Sequence, residues 1–161
     1  MSGHGLTGAA IERRISELGL ELPPVTPPQF IYVPVLVHED IAHVSGQIPW
    51  IGGEVQFRGK LGAETSLEDG QAAARLCVLN AIAQLRLELG DLERIARFLK
   101  LTGFVASAAG FNMQPKVIDG ASQLLGEIFG EQGRHARSAI GVAELPRDVP
   151  VEVELTVALH R

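Results

Sequence analysis

Cysteine is nearly missing from this 161-residue chain: Cys77 is the only one, which excludes an internal disulfide and any multi-thiolate metal site. It falls in an apolar helical stretch, where a small buried residue is expected rather than a nucleophile. Aromatic residues make up only 5%, and no apolar run nears the roughly 20 residues needed to span a bilayer. The opening MSGHGLTGAAIERRISELG lacks the basic-then-apolar order of a secretory signal, so a soluble, cytoplasmic protein with no membrane partner is expected. Positive charge is short as well. The formal net charge is -5 with Lys and Arg scattered along the chain, which offers no field for RNA or DNA, and no nucleic-acid partner is expected. His38, His43 and His135 have no metal-ligand spacing, and GEIFGEQG carries glycines without the Lys-Ser/Thr of a phosphate loop, so neither metal nor cofactor is expected.

What is present suits one globular unit able to bury a core: 46% apolar residues and 20% charged, with no internal repeat and no charge block. The one compositional break is LPPVTPPQ, residues 22–29, whose prolines exclude regular helix and central strand. Before it, Ile11, Ile15 and Leu18 recur at helical spacing and Gly19 stands where a helix stops. The expected organisation is therefore a helix and Pro-rich linker over 1–29 and a single α+β domain over 30–161.

Within 30–161, FIYVPVLVHED and IAHVSGQIPW are rich in Val and Ile and predict two strands turned at HED. GGEVQFRGKLG has room for a short edge strand. TSLEDGQAAARLCVLNAIAQLRLELGD opens with Thr65 and Glu68 in capping-box spacing and closes on Gly90, with Leu76, Leu79, Ala83 and Leu87 expected on the packed face. RIARFLKLTGFVAS predicts a strand, with Leu99, Leu101 and Gly103 alternating against Lys100 and Thr102. QPKVIDGASQLLGEIFGEQG predicts a second main helix, with Val117, Ala121, Leu124 and Ile128 inward. RHARSAIGVAELPRDVPVEVELTVAL closes the chain as two strands joined at LPRD.

That order fits a mixed sheet with two main helices on one face. In the last strand Val151, Val153, Leu155, Val157 and Leu159 share the helix side, while Glu152, Glu154, Thr156 and Ala158 share the other. An ordinary hairpin register would set Ala143 opposite Glu152 and put Arg137, Ala139 and Gly141 on the same outer face, ready to pack against another subunit. Arg137 and Glu152 would then lie roughly 20 Å apart, too far for an ion pair within one chain. A site using both would need a second chain or a bulge.

Together, YVPVLVHEDIAHVSGQIP and ARSAIGVAELPRDVPVEVE resemble the Rid family, the YjgF-like proteins also labelled L-PSP endoribonucleases, over residues 30–159. The resemblance implies a chorismate-mutase-like α+β fold, a homotrimer with clefts between subunits, and hydrolysis of enamines or imines to 2-keto acids and ammonia. It implies that Arg137 clamps a substrate carboxylate, that Glu152 handles the attacking water, and that Tyr32, Ser45 and Gly46 line the pocket. A planar guanidinium fork suits bidentate carboxylate binding better than a lysine does. The chain departs from the pattern at Ala139, where deaminating members carry cysteine, and at His135, where proline is usual; a family asparagine falls near Asp119.

The bland alternatives are a structural ion pair for Arg137 and a subunit-face carboxylate for Glu152. Two functions compete: a cofactor-independent imine hydrolase, and a non-catalytic trimeric sensor of small carboxylate or imino-acid ligands, which the missing cysteine favours. Ribonuclease activity conflicts with the charge balance. Ligand selectivity is assigned to the loops PWIGGEVQF and SAAGFNMQP, and the N-terminal helix is expected either to cover the cleft or to pad the trimer's rim.

Overall fold

The structure is a computed structural model describing residues 6–161; Met1–Gly5, the start of the segment read for a targeting signal and of the N-terminal unit, lie outside the described residues. Helix α1 (Gly8–Glu17) begins where Thr7 accepts a hydrogen bond from the Ala10 amide at 3.2 Å. It buries Ile11 and Ile15, and Gly19 ends it at a φ of +69°. Arg14 pins α1 to the second main helix by donating to the Ile128 carbonyl at 3.0 Å. After the linker, strand β1 (Val35–His38) and strand β2 (Ile41–Gln47) form the expected hairpin, with Glu39 in left-handed backbone at the turn.

Strand β1 starts five residues later than FIYVPVLVHED suggests. Pro34 supplies no amide hydrogen, and Phe30–Tyr32 run as exposed bends, Ile31 fully exposed, followed by an exposed Val33. The weak edge strand becomes a separate small hairpin, β3 (Trp50–Ile51) with β4 (Glu54–Val55), outside the main sheet.

Helix α2 (Leu67–Leu89) is capped by Ser66, which accepts from the Asp69 amide at 3.0 Å. The expected cap, Thr65, instead turns inward and donates its hydroxyl to the Arg58 carbonyl at 2.9 Å. The packed face also differs: Ala73, Ala74, Cys77, Val78, Ala81, Ile82 and Leu85 are buried, whereas Leu87 is 67% exposed. A helix apolar on most sides carries little periodic signal, so its neighbours choose the face.

Strand β5 (Ile95–Ala106) alternates as expected except at Leu99, which a register shift between Phe98 and Lys100 turns outward. Helix α3 (Gln114–Phe129) buries Val117, Ala121, Leu124 and Ile128 as its spacing predicts. Strands β6 (Ala136–Val142) and β7 (Val151–Leu159) complete the sheet, whose order is β1-β2-β7-β5-β6.

The closing hairpin does not form. β7 inserts between β2 and β5, antiparallel to both, and β6 lies on the outer edge, parallel to β5 alone. β5, α3 and β6 make a crossover unit, which returns β6 parallel to β5 and leaves its last residue, Val142, at the sheet end where β7 begins. The connection over 143–150 then steps across the end of β5. Helices α2 and α3 cover one face of the sheet around Phe98, Leu101, Val105, Val153, Leu155 and Val157. Among the described residues, no helix is long and apolar enough to cross a membrane.

Candidate functional site

Strand order decides which side chains meet. Glu152 pairs with Phe104, on the sheet face away from the helices, and stands close against Gly46, where any Cβ would overlap its carboxylate. Tyr32, Ser45, Gly46 and Glu152 all line one open cleft of about 620 Å³. The Ser45 hydroxyl donates to the Val33 carbonyl at 2.7 Å and its amide to the Pro34 carbonyl at 2.9 Å, so the serine shapes the wall beneath Tyr32. Burial pushes the Glu152 carboxyl above its ordinary range, and the Glu154 charge two residues along adds to this. Its carboxyl therefore keeps its proton to a higher pH than a free glutamate does.

Arg137 is not in this cleft. Its register partner is Leu101, on the helix side, and its guanidinium turns onto α3. It donates to Asp119 Oδ1 at 2.8 Å, Ser122 Oγ at 3.1 Å and the Pro115 carbonyl at 3.3 Å. Ser122 also hydrogen-bonds His135 Nε2 at 2.9 Å, while the other ring nitrogen meets the Gly133 carbonyl at 2.6 Å. A carbonyl only accepts, so Nδ1 carries a proton and donates to Gly133. Ala139 follows Arg137 on the same side and packs against the core.

The outer-face placement of Arg137 and Ala139 is thus corrected, because it assumed a β6–β7 register that β5 interrupts. Arg137 and Glu152 are on opposite faces, two strands and three register steps apart, or roughly 14 Å between Cα atoms. They form no ion pair within the chain.

The cleft also holds residues that sequence reasoning passed over. Gln29 of the linker, Phe30 that follows it, and Arg147 from the LPRD turn stand in its wall. Of the two loops assigned to selectivity, PWIGGEVQF reaches this cleft through Trp50, whereas SAAGFNMQP lies between β5 and α3. The prolines were legible only as a connector, and nothing local says what a connector covers. Helix α1 contributes nothing to the wall; it packs on α3 and the turn at Leu92–Arg94. Cys77 is fully buried, and that burial drives its thiol pKa well up, as the inert reading requires.

A mixed five-stranded sheet with two helices on one face and a cleft against the other defines a chorismate-mutase-like α+β protein. Over residues 12–156 the chain matches the family described as "YjgF/chorismate_mutase-like, putative endoribonuclease". It is 42% identical over 153 residues to Protein TCP17 of Trypanosoma cruzi, covering 93% of this chain and 94% of that one. It is 41% identical to Atu1372 of Agrobacterium tumefaciens, a protein of unknown function, whose crystal structure superposes at a TM-score of 0.89 over 95% of this chain and 94% of that one. E. coli TdcF, solved with bound serine, shares the fold at a TM-score of 0.57 and 23% identity, covering 87% of this chain and 94% of that one. The chain belongs to the YjgF family.

Proposed function

We propose that the protein is a cytoplasmic hydrolase of reactive enamine or imine intermediates of amino-acid metabolism, yielding 2-keto acids and ammonia in clefts completed by two subunits of a homotrimer. The observation that carries this reading is the division of the candidates into two half-sites: Glu152, Tyr32, Ser45 and Gly46 in one cleft, and Arg137 at the exposed sheet edge. In this reading a second copy laid against the sheet face away from the helices brings its β6 edge to this cleft, so that one chain's Arg137 faces another's Glu152. The face is suited to such contact: Leu36 and Ile140 are 57% and 44% exposed on it.

In that cleft Arg137 holds the ligand carboxylate through N–H groups not spent on Asp119, Ser122 and the Pro115 carbonyl. Glu152 orients the water whose oxygen adds to the imine carbon. The carbinolamine C–N bond then breaks, and the nitrogen leaves as ammonia with a proton that the Glu152 carboxyl can supply.

A second reading, a trimeric sensor of small carboxylates without turnover, is favoured by Ala139, which puts an inert methyl group where a reactive thiol would stand. One experiment separates the two. 2-Iminobutyrate is generated in situ by a dehydratase, and keto-acid release is followed with wild type and Arg137→Ala, alongside titration with 2-oxobutyrate. Hydrolysis above buffer rate, lost in Arg137→Ala, is the expected result. Binding of 2-oxobutyrate with no acceleration would leave the sensor, and neither binding nor acceleration would end both.

A further inference from the structure

Arg147 has the features of a ligand group that the family resemblance does not assign. It sits in the turn Pro146–Asp148 with a φ of +59°, and Asp148 follows at +60°, a left-handed pair that side-chain-bearing residues rarely adopt in succession. The turn is fastened from outside. Arg58 Nη1 donates to the Arg147 carbonyl at 2.7 Å, and the Gly59 amide donates to the Asp148 carbonyl at 2.8 Å.

This backbone aims the Arg147 side chain back over the mouth of the cleft, where its guanidinium lies 5.3 Å from the Trp50 ring centre. Its hydrogen-bond partners, the Gly53 carbonyl at 3.4 Å and Gln29 Oε1, are both neutral. None of the six ion pairs among the described residues includes it. A fixed, unneutralised cation therefore stands on one wall, and the carboxyl groups of Glu152 and Glu154 stand on another.

A ligand that matches both walls has an electron-poor carbon toward Glu152 and a negative group toward Arg147. We propose that Arg147, seated on Trp50, is a specificity-determining residue that reads a second anionic group at the far end of the ligand, so that the cleft prefers 2-oxo or 2-imino dicarboxylates over monocarboxylates. This rests on the cleft reading above, in which Arg137 of a neighbouring chain already holds the first carboxylate. The competing role is mechanical: Arg147 ties the linker to the small hairpin through Gln29 and Gly53.

The test is calorimetric titration of the intact protein with 2-oxoglutarate and 2-oxobutyrate, read as the ratio of their dissociation constants. Wild type is expected to favour 2-oxoglutarate by about tenfold, the worth of one added charge-assisted contact at a partly exposed site. Arg147→Gln should bring the ratio to about one, and Arg147→Lys, which keeps the charge without the fork, should retain part of it. A purely mechanical role would weaken both probes together and leave the ratio standing, which overturns the proposal, as does a wild-type ratio near one. If 2-oxobutyrate binds without any preference, only the role of Arg147 falls. If neither probe binds wild type, the reading of the cleft falls with it.

Discussion

Glu152 is a carboxyl on a sheet face, pressed against a glycine and raised in pKa chiefly by burial. The sign of its effect on stability follows from that direction. A raised folded-state pKa means the unfolded chain releases the proton more readily, so Glu152 opposes folding once pH rises through its ordinary range and beyond. Below that range both states are protonated and the penalty vanishes. Glu152→Gln, which keeps the shape and removes the charge, is therefore expected to melt higher than wild type at pH 7.5 and alike near pH 4, as thermal denaturation monitored by circular dichroism would show. Equal melting temperatures at both pH values would contradict a buried, ionising Glu152. The alternation of the last strand placed this carboxyl on the face away from the helices, but its neighbour Gly46 comes from a strand more than a hundred residues earlier. No local pattern announces that contact.

At the level of elements, close packing of α2 on α3 depends on Gly120, where a Cβ would run into the Gln71 backbone. Backbone cannot swing aside as a long side chain can, so Gly120→Ala must push the helices apart despite alanine's better helix propensity. The expected cost is about 1–3 kcal/mol, read as a lower urea midpoint; an unchanged or higher midpoint would show that the helices separate without cost. The helices, their glycine stops and most strands were legible because each depends on a repeat of 3.6 or 2 along the chain. Leu99 was misassigned because a bulge shifts that repeat by one residue, and Leu87 because α2 is apolar on too many sides for its pattern to select one. The β6–β7 hairpin failed for a different reason: nearness in sequence implied pairing, whereas β5 offered both strands a partner.

For the whole molecule, one sheet face is covered by α2 and α3, while among the described residues the other meets the linker, the small hairpin and the LPRD turn around the cleft and leaves Leu36 and Ile140 exposed. The division of Arg137 and Glu152 between separate surfaces calls for a second chain if both serve one site, and the family resemblance implies that the assembly is a homotrimer. Light scattering at micromolar concentration should give about three times the chain mass, and a monomeric mass would remove the basis for a shared cleft. The family resemblance assigns roles to both residues, and the structure changes how they are separated. They are kept apart by opposite faces of the sheet, rather than by distance along one hairpin.

By itself the sequence determined the α+β class, the positions of the main helices and strands, and the placement of Glu152 outside the core, because each is written in short-range alternation and caps. Only the tertiary structure decided that β7 lies between β2 and β5, that Arg137 turns onto α3, and that the proline linker, Trp50 and Arg147 share a cleft with Glu152. Those outcomes are set by contacts between residues far apart in the chain, where packing and backbone pairing choose among arrangements that local patterns leave equal.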